Sequence, residues 1–208
     1  MPPIYRTYAG FYLILHKCGF LMPILMISLP KKDTCMGFID NSFYHIYNRG
    51  INKQNIFFNE DNYHYFLEKI ERHICPTCDI IAYCLMPNHF HLLVSTNIDS
   101  KVLSEGIRVT LSSYTRAINN QEDRTGSLFQ QNTKRKLIKV HDEGRYLNTV
   151  FNYIHQNPVS AKLCKVPQDW LFSSFNEYLE IKPITHYICN TQIASKYLEH
   201  LSELIYEL

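Results

Sequence analysis

Ile80-Ile81-Ala82-Tyr83-Cys84-Leu85-Met86-Pro87-Asn88-His89-Phe90-His91-Leu92-Leu93-Val94 decides how this chain is read. Two apolar, strand-like stretches flank a Met-Pro-Asn break, and their closeness predicts an antiparallel hairpin, Ile80–Leu85 against His89–Ser95. In an extended chain, side chains alternate between faces, so His89 and His91 share one face and Phe90 takes the other. Two neutral imidazoles side by side on a rigid strand form half of a divalent-cation site. A pair of half-buried sheet histidines, with no ligand role, is the plainer alternative that the spacing alone leaves open.

Working outward, Phe43–Gly50 is aromatic-rich and weakly alternating, a strand. Asn59-Glu60-Asp61 offers an N-cap and an acidic first turn, and Tyr63, Phe66, Leu67, Ile70 and Ile74 follow at helical spacing. A second helix runs from about Ser100 to Asn120, marked by Val102, Leu103, Ile107, Leu111, Tyr114 and Ile118. An edge strand follows near Lys136–Val140. Strand-helix-strand-strand-helix-strand is the order of a ferredoxin-like α+β sheet with its helices on one face. Beyond it, additional C-terminal helices are expected. The first is capped by Asp142 and stopped at Asn157-Pro158. Others span Trp170–Leu179 and Ser195–Leu208.

Composition sets bounds. The 208 residues are 46% hydrophobic and 19% charged, which suits a globular chain with a sizeable core. A net charge of +2 gives no global signature of nucleic-acid binding, so any such surface has to be local. Seven cysteines without a framework, and no clear secretory signal, place the chain in a reducing, cytoplasmic setting. Cys75-Pro-Thr-Cys78 lacks a second ligand pair at zinc spacing, so it reads as two thiols in a helix-to-strand turn. Phe11–Leu29 is mostly apolar but is interrupted by His16, Lys17 and Pro23, which argues against a membrane span. Residues 1–40 read as an extension, translated from a start upstream of Met22, Met26 or Met36, with an extra packing segment as the alternative. A main domain over 41–180 and a helical tail over 181–208 complete the division.

Met86-Pro-Asn-His-Phe-His-Leu-Leu-Val94 resembles the core motif of the HUH endonucleases, and within them the single-tyrosine transposases of IS200-like insertion sequences. Tyr44-His-Ile-Tyr-Asn-Arg-Gly50, Gly126-Ser-Leu-Phe-Gln130 and Asn152-Tyr-Ile-His-Gln-Asn-Pro-Val159 resemble further landmarks in the same order. Trp170-Leu-Phe-Ser-Ser-Phe175 resembles the closing motif of the branch that includes the REP-associated tyrosine transposases. The resemblance covers roughly Phe43 to Leu179. It implies the HUH variant of the ferredoxin-like fold. It also implies cleavage and rejoining of single-stranded or hairpin DNA through a 5′-phosphotyrosine, with Mg²⁺ or Mn²⁺ as cofactor and a homodimer as the working form. A domesticated, non-catalytic DNA-binding relative is the alternative function.

Which of the fifteen tyrosines would attack is not decided by their chemistry alone. A phenol titrates near pH 10 (about 10) and needs help as a nucleophile. The resemblance points to Tyr153, because such transposases carry a Tyr and an amide residue four apart on one helix, as Tyr153 and Asn157 are here. It implies His89, His91 and Asn157 as cation ligands, the last through an amide oxygen. Tyr114 in the second helix is the rival, though Asn119 five residues on shares its face poorly. From Arg124 to Lys139 the chain holds five basic residues and no acidic one. Arg124, Lys134, Arg135 and Lys136, with Gln130, therefore form a candidate DNA-binding stripe. Asn48 and Arg49 at the first strand's end are further candidates. Gln131-Asn132 stands where this branch more often shows Gly-Arg.

Overall fold

The computed structural model of the protein describes residues 5–6, 12–13, 37–96, 100–138, 145–180 and 186–198. The chain forms two compact units, Met1–Met36 and Gly37–Leu208. In the first, β1 (Tyr5–Arg6) pairs antiparallel with β2 (Tyr12–Leu13). The remainder of the Phe11–Leu29 stretch lies outside the described residues. No helix among the described residues is long and apolar enough to cross a membrane.

The second unit runs β3 (Ser42–Arg49), α1 (Glu60–His73), β4 (Asp79–Met86), β5 (His89–Thr96), α2 (Ser100–Gln121), β6 (Lys134–Ile138), α3 (Arg145–Ser160), α4 (Phe175–Tyr178) and α5 (Thr191–Tyr197). Its sheet has the order β4-β5-β3-β6 with every neighbour antiparallel. The first and third strands to be made lie in the middle, the ferredoxin-like split that the element order predicts.

Alternation along the strands builds two cores. Tyr44 and Ile46 of β3, Tyr83 and Leu85 of β4, and Phe90, Leu92 and Val94 of β5 pack with α1 and α2. Phe43, Cys84, Met86 and Leu93 pack with Leu147, Val150, Phe151 and Ile154 of α3 on the opposite face. A bulge between Ile80 and Ala82 lets two consecutive residues, Ile81 and Ala82, face α3. Asn59 caps α1 by accepting from the Asn62 amide at 3.0 Å, as its sequence predicts. Where α1 meets α2, Gly106 is needed for close approach: a Cβ there would stand 2.2 Å from the His73 carbonyl oxygen. The α2 stripe is Leu103, Ile107, Tyr114 and Ile118, which leaves Val102 one position around the helix and 46% exposed.

Several boundaries differ from those the sequence predicts. The edge strand, Lys134–Ile138, starts two residues before the expected Lys136, and Lys139 and Val140 lie outside the described residues. Helix α3 does not stop at Asn157. It carries Pro158 to Ser160, and further bonds follow it, Ala161 N to Asn157 O and Leu163 N to Pro158 O. The proline sits in the last turn with its ring buried, so it costs a single i→i−4 bond. Asp142 lies outside the described residues, as do residues 199–208 of the expected last helix, within which α5 ends at Tyr197.

Trp170–Leu179 is helical only over Phe175–Tyr178. Its first half lies along the outer edge of β4: Leu85 N bonds Phe172 O and Ser174 N bonds Tyr83 O. Pairing those edge groups outweighs local helical preference. Cys75 and Cys78 flank the turn from α1 into β4, and burial pushes both thiols up to about 12.

Candidate functional site

Register assembles the site. Tyr47 lies opposite His91, and Arg49 opposite His89, across the β3–β5 ladder. Odd-numbered residues of both strands face α3, so His45, Tyr47, Arg49, His89 and His91 share one sheet surface. The hairpin turn that starts β5 is pinned from behind. The Pro87 carbonyl accepts from Ile56 N at 2.8 Å and the Asn88 carbonyl from Gly50 N at 2.9 Å. Gly50 permits this crossing, since a Cβ would stand 2.1 Å from the Gln54 oxygen.

Helix α3 crosses above the imidazoles. The Tyr153 ring is edge-on to His91, with centroids 5.6 Å apart, and to His45 at 6.0 Å. Tyr153 is 53% exposed although its neighbours Phe151 and Ile154 are fully buried. One turn on, the Asn157 amide donates to the Tyr153 carbonyl at 2.6 Å, and its side chain stands beside His89, whose pKa it raises slightly against the lowering by burial. The sequence-predicted quartet of Tyr153, Asn157, His89 and His91 therefore meets in one place.

Each of the two histidines has one nitrogen engaged. His89 Nδ1 meets Asn88 Oδ1 at 2.6 Å, and His91 Nδ1 meets His45 Nε2 at 2.8 Å. His91 Nε2 is buried and has no hydrogen-bond partner among the described residues. Burial first, then the Arg49 charge, holds His89 down at about 4. Burial, then His45, His89 and Arg49, takes His91 to about 2. Burial and Lys136 lower His45 to about 4. All three rings are therefore neutral near pH 7, the form that donates a lone pair.

A buried, orphaned imidazole nitrogen beside a second imidazole and an amide suits a divalent cation with mixed nitrogen and oxygen donors. Among the described residues no three His, Cys, Asp or Glu side chains form a ready cage. His89, His91 and Asn157 would thus hold an ion whose remaining positions are open to water or phosphate oxygens.

The other candidates are placed differently. Arg49 lies beside His89 on the site face. Asn48 points the other way, 3% exposed, and its amide donates to Gln130 O at 3.2 Å and Thr133 Oγ1 at 3.0 Å. Arg124 reaches Gln54 Oε1 at 3.4 Å and Ser127 O at 3.3 Å. Both thereby brace the loop that leads into β6, on which the Gln130 side chain is exposed. Lys134 and Lys136 pair with Tyr47 and His45, so they face the site side, whereas Arg135 faces the other and covers the Phe38 ring at 5.2 Å. The basic stripe is thus split by strand alternation.

Tyr114 is fully buried and donates to Ile56 O at 2.7 Å, and burial raises its phenol far above the usual range. His45, Tyr47 and Asn88 were not singled out by sequence reasoning. Period-2 alternation puts the first two on the face of Arg49, but only the β3–β5 register sets that face beside His91.

Residues 39–157 match the family described as transposase IS200 like. The chain belongs to that family. It is 26% identical over 107 residues to a Haemophilus influenzae protein named as a REP-associated tyrosine transposase. That stretch is 47% of this chain, and it spans 59% of the relative's length. A solved structure of the REP-associated tyrosine transposase bound to a REP hairpin superposes with a TM-score of 0.55 at 17% identity. It covers 75% of this chain and 94% of that one, a likeness of fold. Every candidate from Asn48 to Asn157 falls within the span matched to the IS200-like transposases.

Proposed function

We propose that this IS200-like transposase cleaves and rejoins single-stranded hairpin DNA, with Tyr153 as nucleophile and His89, His91 and Asn157 holding Mg²⁺ or Mn²⁺. The observation that carries the reading is the buried, unpartnered His91 Nε2 lying beneath the Tyr153 ring. Tyr153 Oη attacks the phosphorus of a backbone phosphodiester and gives up its proton to solvent. The new P–Oη bond forms as the P–O3′ bond breaks, and the departing 3′ oxygen takes a proton. Arg49 donates to a non-bridging oxygen, a charge-assisted contact. A cation held by His89, His91 and Asn157 would supply Lewis-acid stabilisation of the phosphate charge. Asn157 links the two halves of the site, since its side chain bonds the Tyr153 carbonyl and stands beside His89. Rejoining reverses these steps when a 3′-hydroxyl attacks the phosphotyrosine. One phosphodiester is exchanged for another, so no external energy source is required.

The hairpin in the structural relative's complex supports the substrate class, as does the placement of Lys134 and Lys136 on the site side. A homodimer is part of the proposal through family resemblance, and a cytoplasmic setting through the seven cysteines without a framework. The test is a labelled DNA hairpin with a single-stranded flank, incubated with Mg²⁺, with Mn²⁺ or with EDTA, beside a fully duplex control. Cleavage confined to the single strand and dependent on the cation is expected. Binding without cleavage under every condition would leave the non-catalytic DNA-binding relative.

A further inference from the structure

We infer that His45 is a positioning residue that fixes the tautomer and aim of His91, so that the His91 Nε2 lone pair faces the site. The inference deepens the proposed function and rests on its assignment of His91 as a cation ligand. His45 is 8% exposed and its Nε2 lies 2.8 Å from His91 Nδ1. The two rings are stacked, with centroids 5.0 Å apart and planes 28° apart. Tyr47 flanks His45 at 4.8 Å and Tyr153 at 6.0 Å, so aromatic neighbours stand on two sides of it.

Only one proton can lie between the two nitrogens. If His45 donates it, His91 carries its own proton on Nε2, a buried donor with nothing to receive it. If His91 donates, the proton sits on Nδ1 and Nε2 is left as a lone pair for a cation. A ring hydrogen-bonded through its other nitrogen is how ligating histidines are usually oriented, and such partners change cation affinity by about 10–100-fold. Asn88 stands in the same relation to His89, at 2.6 Å. What distinguishes His45 is that its partner atom comes from the neighbouring motif, 46 residues away in sequence.

Long-range ¹H–¹⁵N spectra of the apoprotein report directly which nitrogen of His91 is protonated. The wild type should show His91 protonated on Nδ1 and bare on Nε2. His45→Phe should lose that bias and bind Mn²⁺ about 10–100-fold more weakly by calorimetry. His45→Gln keeps an amide oxygen to accept from Nδ1 and should restore most of both signals, which a purely space-filling role would not require. A wild-type His91 protonated on Nε2, or His45→Phe binding Mn²⁺ as the wild type does, would overturn the inference. Should His45→Phe not fold, the wild-type spectrum decides alone. A wild type that binds no Mn²⁺ would remove the cation site itself, while the spectrum still reads the effect of His45.

Discussion

Removing His91 takes away two things, the orphaned Nε2 that faces the site and the Nδ1 partner of buried His45. His89 is shallower, and its Nδ1 partner Asn88 borders solvent. The double variant His89→Ala/His91→Ala is expected to lose DNA cleavage. It should still fold, weakened by about 1–3 kcal/mol because His45 is left without its partner. Circular dichroism and urea melts beside the cleavage assay check this; cleavage at the wild-type rate would mean the site is elsewhere. His89 and His91 were legible because their spacing of two, in a strongly apolar strand, announces a shared face. His45 was not, since a lone strand histidine gains meaning only from the register that brings β3 against β5. Tyr47 was hidden for the same reason. Asn48 looked like a surface contact because sequence does not reveal which face its strand buries.

Helix α3 is held to the sheet by more than its apolar stripe. The Ser174 hydroxyl meets His155 Nε2 at 2.8 Å and the Tyr83 backbone at 2.9 Å and 3.2 Å, all buried. Ser174 thus ties the covered edge of β4 to the helix that carries Tyr153 and Asn157. Ser174→Ala should cost about 1–3 kcal/mol, because His155 and the Tyr83 amide are left unpaired; an unchanged urea midpoint would contradict this link. The apolar stripe of α3 could be read from its spacing. The covering of β4 by Trp170–Ser174 could not, because it uses backbone groups that carry no sequence signal. β6 gives a second test at this scale. Lys134 and Lys136 face the site side and Arg135 the other. Lys134→Ala/Lys136→Ala should lower the slope of log affinity for single-stranded DNA against log salt by about 0.7 per lost phosphate contact. Arg135→Ala alone should change it less. Equal effects would show that DNA passes over the strand's edge and not along one face.

Among the described residues, three buried histidines and the half-buried His89 share one sign. His155 is held near 3 by burial, and burial likewise lowers His45, His89 and His91. Unfolded, each takes up a proton below about 6.5. Their contribution is therefore complete above that pH and is lost as the pH falls from about 6.5 towards about 3. Each adds about 1.4 kcal/mol per pH unit to the slope within its window. Glu177 opposes them, because burial raises its carboxyl above the ordinary value, but it is one group against four. Urea midpoints measured in EDTA should drop between pH 7.5 and pH 5; a flat profile would show that these rings are not buried as neutral groups. The fold as a whole was readable because helical spacing in α1 and α2 and apolar, strand-length runs in β4 and β5 came in the order of one known sheet. The central claim is that Tyr153, the exposed tyrosine above the imidazoles, becomes joined to DNA. Wild type, Tyr153→Phe and Tyr114→Phe are each incubated with labelled single-stranded hairpin DNA and Mn²⁺, then resolved on a denaturing gel. A shifted protein–DNA band should form with wild type and with Tyr114→Phe, and be absent with Tyr153→Phe. A band that survives in Tyr153→Phe would contradict the account.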